Sequence, residues 1–239
     1  MLFNLFQLDP VRFIQVYIVQ GIVGLIFLYL AYKILRRDTK RLNLIFSIFY
    51  ISIAVGIFMN FVYAPLTDET IVFILNFLTN YFLFLSPIFL LVFNLILLKS
   101  TKVFNTKKQL ILISVYAVAL FCMILIPGGV TINASTGWKP VWSVPLFIYV
   151  IIVMNGMAGI PGFVIAGLIY KKFEDEQLKK KWKYFLIGLA GIFIFADGTI
   201  LSNTLNIQDF RTVWSLISLG LSTISPYLMY FGVGREIEK

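Results

Sequence analysis

The sequence predicts an all-α membrane protein, a bundle of seven transmembrane helices, from its composition and from the spacing of its apolar segments. Of the 239 residues, 60% are hydrophobic and only 13% are charged, and the mean hydropathy is +0.92. A soluble domain is typically about 45–50% apolar. Apolar runs joined by short polar connections take up almost the whole length, so we expect one domain over residues 1–239.

Seven apolar runs approach or exceed the roughly 20 residues that a helix needs to cross the hydrocarbon core of a bilayer. We expect helices at residues 13–35, 42–63, 71–98, 110–126, 142–170, 182–205 and 213–234. The first residues lack the basic start and the small-residue cleavage site of a signal peptide, and Asp9 and Pro10 interrupt them. The first run is therefore expected to remain as a span.

The basic residues predict the orientation of the chain. If successive connections alternate between two faces, 17 of the 20 lysines and arginines lie on one side, and only Arg12, Lys139 and Arg211 lie on the other. Because cytoplasmic connections are enriched in basic residues, we expect a cytoplasmic C-terminus and an external N-terminus in a multi-pass protein of the cell membrane. The charge is dispersed over several loops, so we expect the lipid bilayer, with anionic lipid at the cytoplasmic loops, and no nucleic acid as its partner.

Missing residue types exclude most familiar chemistry. The sequence has no histidine, which removes histidine-based metal sites, haem ligation by histidine and Ser/His or Cys/His catalysis. The last span has no lysine for a retinal Schiff base. Asp197 is the one acid expected at membrane depth, whereas an intramembrane aspartyl protease needs two. We therefore expect no enzyme activity, no cofactor and no metal, and Cys122, the single cysteine, has no intrachain disulfide partner.

Polar and small residues recur at helical spacing in three predicted spans. The third span carries Asn76, Asn80, Pro87 and Asn94 on one stripe, which should face protein. The fifth and seventh spans repeat the pattern with Asn155, Gly159, Gly162 and Ala166, and with Ser215, Ser218, Ser222 and Ser225. We interpret these stripes chiefly as packing surfaces on which hydroxyls or amides can bond across to a neighbouring helix, and we expect Pro161 to kink the fifth helix.

Asp197 requires a specific explanation, because a carboxylate in hydrocarbon costs at least a few kcal/mol. On a helical wheel it points well away from the cluster of Gly188, Gly191 and Gly198, so it should serve a different surface. Two interpretations stay open: contact with a ligand in an external vestibule, or a structural bond to a hydroxyl or amide. The candidate ligand-binding residues are Asp197, Asn203, Asn80, Asn155, Trp138 and Trp142.

The longest predicted external connection, PGGVTINASTGWKPVW, contains both of these tryptophans. It could cap a binding cavity, but tryptophans at this position are equally typical of the aromatic belt at a membrane surface. The connection also contains the N-glycosylation sequon Asn133-Ala134-Ser135, which is used only in a host that glycosylates.

From the third span onward the chain resembles the seven-transmembrane sensor region at the N-terminus of many prokaryotic histidine kinases. The resemblance rests on the proline-centred FLSPIFLLVF, the aromatic external loop, the sixth helix KKKWKYFLIGLAGIFIFADGTILSN and the short IQDF loop. It covers about two thirds of the chain and implies a receptor-like bundle that is open to the outside. The sequence stops at GREIEK, whereas kinase members continue into cytoplasmic catalytic domains, so signalling would need a separate protein.

We therefore expect a membrane sensor or receptor-like module for a small ligand or a membrane state. A small seven-helix transporter is the alternative, and a channel subunit is a third possibility for which the sequence shows no filter motif. The charged connection between the fifth and sixth helices is the candidate docking surface for a cytoplasmic partner. Its candidate residues are Glu174, Asp175, Glu176, Lys179 and Lys180.

Overall fold

The computed structural model describes residues 10–233, with side chains from Arg12 onward. Within that range seven helices are long and apolar enough to cross a membrane. They are α1 (Ile14–Arg37), α2 (Arg41–Tyr63), α3 (Glu69–Val103), α4 (Thr106–Leu125), α5 (Val144–Lys172), α6 (Glu176–Leu205) and α7 (Gln208–Val233). The predicted all-α architecture with seven long apolar helices is confirmed for these residues.

Several helices run beyond their apolar cores into polar sequence. α3 continues to Val103 after a break at Ser100, whose φ is +63°, and α6 begins at Glu176, six residues before the predicted start. Side-chain caps mark the starts of both helices: Asp68 accepts a hydrogen bond from the backbone N–H of Ile71 in α3, and Asp175 accepts one from that of Leu178 in α6. The predicted end of the seventh span at Gly234 lies outside the described residues.

The predicted start of the fifth helix was wrong, because the residue there belongs to a strand. Trp142 was expected to open the fifth helix, but it belongs to a short strand, β2 (Val141–Trp142), that pairs antiparallel with β1 (Val130–Thr131). α5 begins only after Ser143, whose hydroxyl accepts a hydrogen bond from the N–H of Leu146. The two strands form a hairpin over the ends of α4 and α5.

The connections define two ends of the bundle. The hairpin end carries the connections at 64–68, 126–143 and 206–207, and the basic end carries those at 38–40, 104–105 and 173–175. Helices adjacent in sequence pack side by side, α3 also contacts α5, and α7 returns to α1 to close the ring. α4 lies on the outside, with only 22% of its most apolar window buried, compared with 61% for α2.

An aromatic cluster fills the interior toward the basic end. The Phe46 and Phe93 rings stack with centroids 4.9 Å apart, and the Trp182 and Phe185 rings stack at 4.5 Å. Tyr50 packs against Phe46 at 5.1 Å. Because these rings come from α2, α3 and α6, they join both halves of the chain into one core.

Glycines bring α6 and α7 into backbone contact. A Cβ atom added at Gly188 would lie 2.5 Å from the carbonyl oxygen of Ser225, and one at Gly232 would lie 2.6 Å from the nitrogen of Phe185. Added Cβ atoms at Gly191 and Gly198 would collide with Ser225 and with the Trp214 ring. The two helices can therefore approach this closely only because these residues are glycines, which have no Cβ atom.

Two hydroxyl groups donate hydrogen bonds to backbone carbonyls in the helical turn before Pro87. A proline has no N–H, so the carbonyl of Leu83 loses its usual partner, and the Ser86 hydroxyl donates to it at 2.7 Å. The next carbonyl, that of Phe84, accepts from the Tyr116 hydroxyl at 2.6 Å. α3 thus remains one helix through the proline.

We expected the serines of α7 to be able to bond to other helices, but the hydroxyls of Ser218 and Ser222 bond within α7. Ser218 donates to the carbonyl of Ser215, and Ser222 donates to the carbonyl of Leu219, both in the same helix. A backbone carbonyl one turn earlier in the same helix lies within reach of each serine hydroxyl. The hydroxyl therefore bonds within its own helix. The stripe in α3 does face protein, since Asn76, Pro87 and Asn94 are buried.

Two cations tie the hairpin to the rest of the bundle. Arg211, at the start of α7, donates to the carbonyl of Pro140 at 2.7 Å and to that of Ser202 at 3.3 Å. Arg12 donates to the carbonyl of Gly137 at 3.3 Å. The hairpin is therefore held against both α7 and the helical turn that precedes α1.

Candidate functional site

A small cavity lies under the hairpin, enclosed by α3, the end of α4, the hairpin strands and the first turn of α5. Its volume is about 30 Å³, which accommodates one or two water molecules. Most of its wall is apolar, and its polar lining consists of Asn76, Asn80 and Trp142. Its lining therefore combines apolar walls with a few polar groups, a composition that it shares with small-molecule sites, although its volume is that of a water site.

The two asparagines are held by a short chain of hydrogen bonds. The Asn76 amide donates to the Tyr63 hydroxyl at 2.9 Å. The Asn80 amide nitrogen donates to the Asn76 side-chain oxygen at 3.1 Å and to the Asn76 backbone carbonyl at 2.8 Å. The Asn80 side-chain oxygen has no hydrogen-bond partner among the described residues, so a residue that lines the cavity has an unused acceptor.

Trp142, which lines the same cavity, has an unused hydrogen-bond donor. Its side chain is buried, with 3% of its surface exposed, and its ring meets Phe84 edge-on at 5.9 Å. Its indole N–H is buried without a hydrogen-bond partner in the described structure. A buried polar group that lacks a partner is destabilising, so an acceptor placed in the cavity would be favoured. Burial also shows that Trp142 is not part of an aromatic belt at the surface.

Asp197 and Asn155 form a second polar site, between α6 and α5. The Asn155 amide nitrogen donates to Asp197 Oδ1 at 2.9 Å. This is the one hydrogen bond that the described residues give the carboxylate, and neither residue lines the cavity under the hairpin. The amide partner agrees with the structural interpretation of Asp197 and leaves its second oxygen available.

Asn155 lies in a distorted segment of α5. Residues Ile152–Gly159 form a π-helix, and the N–H of Ile160 donates to the carbonyl of Asn155. Single π turns inside α-helices occur frequently at functional sites. The distortion thus stands just before Pro161, where a kink was expected, and it determines the direction of the Asn155 side chain.

The pair borders the outer surface of the bundle. The helical wheel places Asp197 about 60° from Ile194, which is 54% exposed, and Asn155 is half-buried beside the exposed Gly156. Asp197 is eight residues from the end of α6, or about 12 Å along the helix axis. The carboxylate therefore lies well inside the apolar length of the helix, at the seam between two helices.

The remaining two candidates line neither site. Trp138 packs against an apolar cluster of Tyr63, Val72 and Ile132, which adjoins the cavity because the Tyr63 hydroxyl accepts the bond from Asn76. Asn203 is half-buried on α6 and makes no side-chain hydrogen bond to any described residue. The six predicted ligand-binding residues thus divide into one pair at the cavity, one pair at the seam and two separate residues.

The charged connection between α5 and α6 is mostly helical. Asp175 caps α6, and Glu176 accepts a hydrogen bond from Lys179 at 2.7 Å. Glu174 and Lys180 are exposed. Two of the three predicted docking acids therefore already have structural partners.

Sequence reasoning did not identify Asn76, Tyr63 or Arg211 as site residues. Asn76 is four residues before Asn80, a spacing that places two amides on one helix face and could have indicated the pair. Arg211 was one of only three cations on its predicted side, which could have indicated a specific role. Tyr63 gave no such signal.

No group of three or more histidine, cysteine, aspartate and glutamate side chains suited to a metal ion occurs in residues 10–233. Comparisons with protein-family models, with curated proteins and with solved structures find no match for this chain. The resemblance to histidine-kinase sensor regions therefore stays a prediction, and the geometry of the two sites is the basis for any functional assignment.

Proposed function

We propose that the chain is a multi-pass membrane protein whose hairpin end faces outward and whose basic end faces the cytoplasm. The proposal rests on the seven long apolar helices and on the 17 basic residues assigned to one side. A reporter fused after Lys239 should be active only in the cytoplasm. A membrane-impermeant label should react with intact cells that carry Ser135→Cys, at an exposed position of the hairpin. An external C-terminal reporter would reverse the assignment.

Within this orientation, the chain would act as a sensor for a small polar ligand rather than as an enzyme. The observation that supports this is the cavity under the hairpin, which is lined by Trp142, with an unused donor, and by Asn80, with an unused acceptor. A ligand with one acceptor and one donor would give a hydrogen-bond partner both to the Trp142 N–H and to the Asn80 oxygen.

The small volume of the cavity suggests how binding would be transmitted. A ligand larger than one or two waters enters only if the hairpin and the first turn of α5 move outward. Such a ligand would favour the opened state, because it binds that state better than the closed one. Leu146 lines the cavity and belongs to α5, so the movement would pass along that helix.

The seam between α5 and α6 is the proposed next step. Displacement of α5 would shift its π turn and change the Asn155–Asp197 bond, and α6 carries that change to the basic end. A separate cytoplasmic protein would read the change there. Glu174 and Lys180 are its candidate contacts, because both are exposed and neither forms an ion pair with another residue of the described structure.

The test uses Trp142→Phe, which keeps an aromatic ring and removes the indole N–H. Thermal stability of the purified chain is measured against a panel of small polar compounds. We expect at least one compound to raise the melting temperature of the parent and of the control Trp138→Phe, and to raise that of Trp142→Phe much less.

Two results would contradict the sensor proposal. One is that Trp142→Phe and Trp138→Phe respond equally to every stabilising compound. The other is that reconstituted protein moves a stabilising compound across vesicle membranes, which would favour the transporter alternative.

A further inference from the structure

A groove runs between α1 and α7 on the outer surface of the bundle, on the side where the ring of helices closes. Ile26, Tyr29 and Leu30 form one wall, and Thr223, Ile224 and Tyr227 form most of the other. The groove is open and has a volume of about 370 Å³, enough for about a dozen water-sized groups. It is separate from the cavity under the hairpin.

The walls of the groove offer almost nothing for a polar ligand to bond. The Thr223 hydroxyl already donates to the carbonyls of Leu219 and Gly220, at 2.8 and 3.1 Å. Among the other wall residues named above, Ile26, Leu30 and Ile224 are aliphatic, and Tyr29 and Tyr227 each carry a single hydroxyl on a large apolar ring. The part of a ligand that lies between the helices must therefore be apolar and flexible, as an acyl chain is.

Cations follow the groove toward the basic end. Tyr29, Lys33 and Arg37 are spaced by four residues, so they lie on one face of α1. The Lys33 ammonium group is 4.9 Å from the centre of the Tyr29 ring, which is itself part of the groove wall. A positive charge therefore stands at the mouth of the groove.

Arg37 provides a second positive group one turn beyond Lys33. Its guanidinium lies over the Tyr230 ring of α7, 4.6 Å from the ring centre, and Nη2 donates to the Tyr230 hydroxyl. The other terminal nitrogen, Nη1, is buried without a hydrogen-bond partner in the described structure. The nearby carboxylate of Asp38 is paired with Lys40 at 3.1 Å, so it does not neutralise these cations directly.

We propose that this groove is a binding site for one anionic phospholipid. An acyl chain lies between α1 and α7, and the phosphate lies at the basic end between Lys33 and Arg37. A zwitterionic lipid fits the apolar groove equally well but leaves the two cations without a net counter-charge. Anionic charge on the headgroup is therefore what distinguishes the expected ligand.

The headgroup contact is tested by native mass spectrometry of the full chain, released from detergent micelles that contain phosphatidylglycerol or phosphatidylcholine. We expect one phosphatidylglycerol to be retained preferentially. Lys33→Gln should lower its apparent affinity about fivefold, the amount expected for one cation near an anionic headgroup. Lys102→Gln is the matched control, because Lys102 is also an exposed cation of the basic end but belongs to α3.

The acyl-chain contact is tested with Ile26→Trp, which fills the groove, and with Ile187→Trp as its control on the exposed face of α6. Only the first should lower retention of phosphatidylglycerol. Equal retention of the two lipids, an equal loss in Lys33→Gln and Lys102→Gln, or no loss in Ile26→Trp would overturn the proposal. Full competition by glycerol phosphate, which has no acyl chain, would also overturn it, because it would reduce the site to an anion site.

Discussion

The two seams of α6 differ in how much movement they permit. Toward α7, glycines place backbone against backbone, and a Cβ at Gly188 would meet the Ser225 carbonyl oxygen at 2.5 Å. Toward α5, contact is made through side chains, with the Phe193 ring beside Gly159 and the Asn155–Asp197 bond one turn away. Backbone atoms cannot change rotamer, whereas side chains can. We therefore expect α6 and α7 to move as one unit and α5 to adjust against them.

The α5–α6 seam is itself anchored unevenly. Near the basic end the Trp182 indole N–H donates to the Ala166 carbonyl of α5 at 2.8 Å, and the tryptophan is fully enclosed. Near the hairpin end α5 contains the π turn and begins beside a cavity. This arrangement favours a pivot near Trp182, with larger displacements toward the hairpin.

The largest expected loss of stability is at the contact between α6 and α7. Gly188→Ala places a methyl group against the backbone of Ser225 and Met229, so α7 must shift, at a cost of about 2–3 kcal/mol in unfolding free energy. Gly220→Ala is the control, because nothing lies within 4 Å of its added Cβ, and it should be neutral or slightly stabilising. Thermal unfolding in detergent measures both. Equal melting temperatures would refute the rigid-seam interpretation.

The Asn155–Asp197 bond is tested by a double-mutant cycle with Asn155→Leu and Asp197→Leu. Each single variant leaves one polar group unpaired, so we expect a coupling energy of about 1 kcal/mol, within the range measured between membrane helices. Asp197→Asn keeps an acceptor and should retain most of that stability. If the two leucine substitutions are simply additive, the bond does not hold the seam.

Two equally buried tryptophans allow the two ends of α5 to be compared, with Trp182 near the basic end and Trp142 near the hairpin end. Trp182 and Trp142 are both 3% exposed, but only the Trp182 N–H has a hydrogen-bond partner in the described structure. Trp182→Phe should therefore cost about 1 kcal/mol more in unfolding free energy than Trp142→Phe. A larger loss in Trp142→Phe would show that its N–H is bonded in the folded protein.

The smallest effect is expected at Gly159. An added Cβ would lie 2.7 Å from the edge of the Phe193 ring and 3.0 Å from the Asn155 side-chain oxygen, so the close atoms belong to side chains rather than to backbone. Gly159→Ala should change the unfolding free energy by less than about 1 kcal/mol, since improved helix propensity offsets the crowding. A melting temperature as low as that of Gly188→Ala would remove the distinction between the two seams.

The sequence predicted the number of helices because each long apolar run is a strong local signal. It failed at helix ends such as Glu176, because helix formation continues into charged sequence that an apolar count excludes. It also placed Trp142 in a helix, since pairing with Val130 is a contact between distant residues that leaves no local pattern.

The site was predictable by residue type but not by grouping. Asp197, Asn155, Asn80 and Trp142 were all recognisable as polar or aromatic residues in apolar surroundings. Their division into two sites depends on the rotation of each helix, and for Asn155 on the π turn. Neither property can be calculated from spacing alone, because both depend on packing against other helices.

The order of Asn155 and Asp197 along the chain matters for biosynthesis. Translation proceeds from the N-terminus, so in the proposed membrane arrangement α5 emerges with a neutral amide before α6 emerges with its acid. An isolated aspartate at the centre of an inserting helix costs about 2.5–3.5 kcal/mol. With the amide already in place, the acid would meet its hydrogen-bond donor during insertion, and the polar bond between α5 and α6 would then aid membrane entry of the sixth helix.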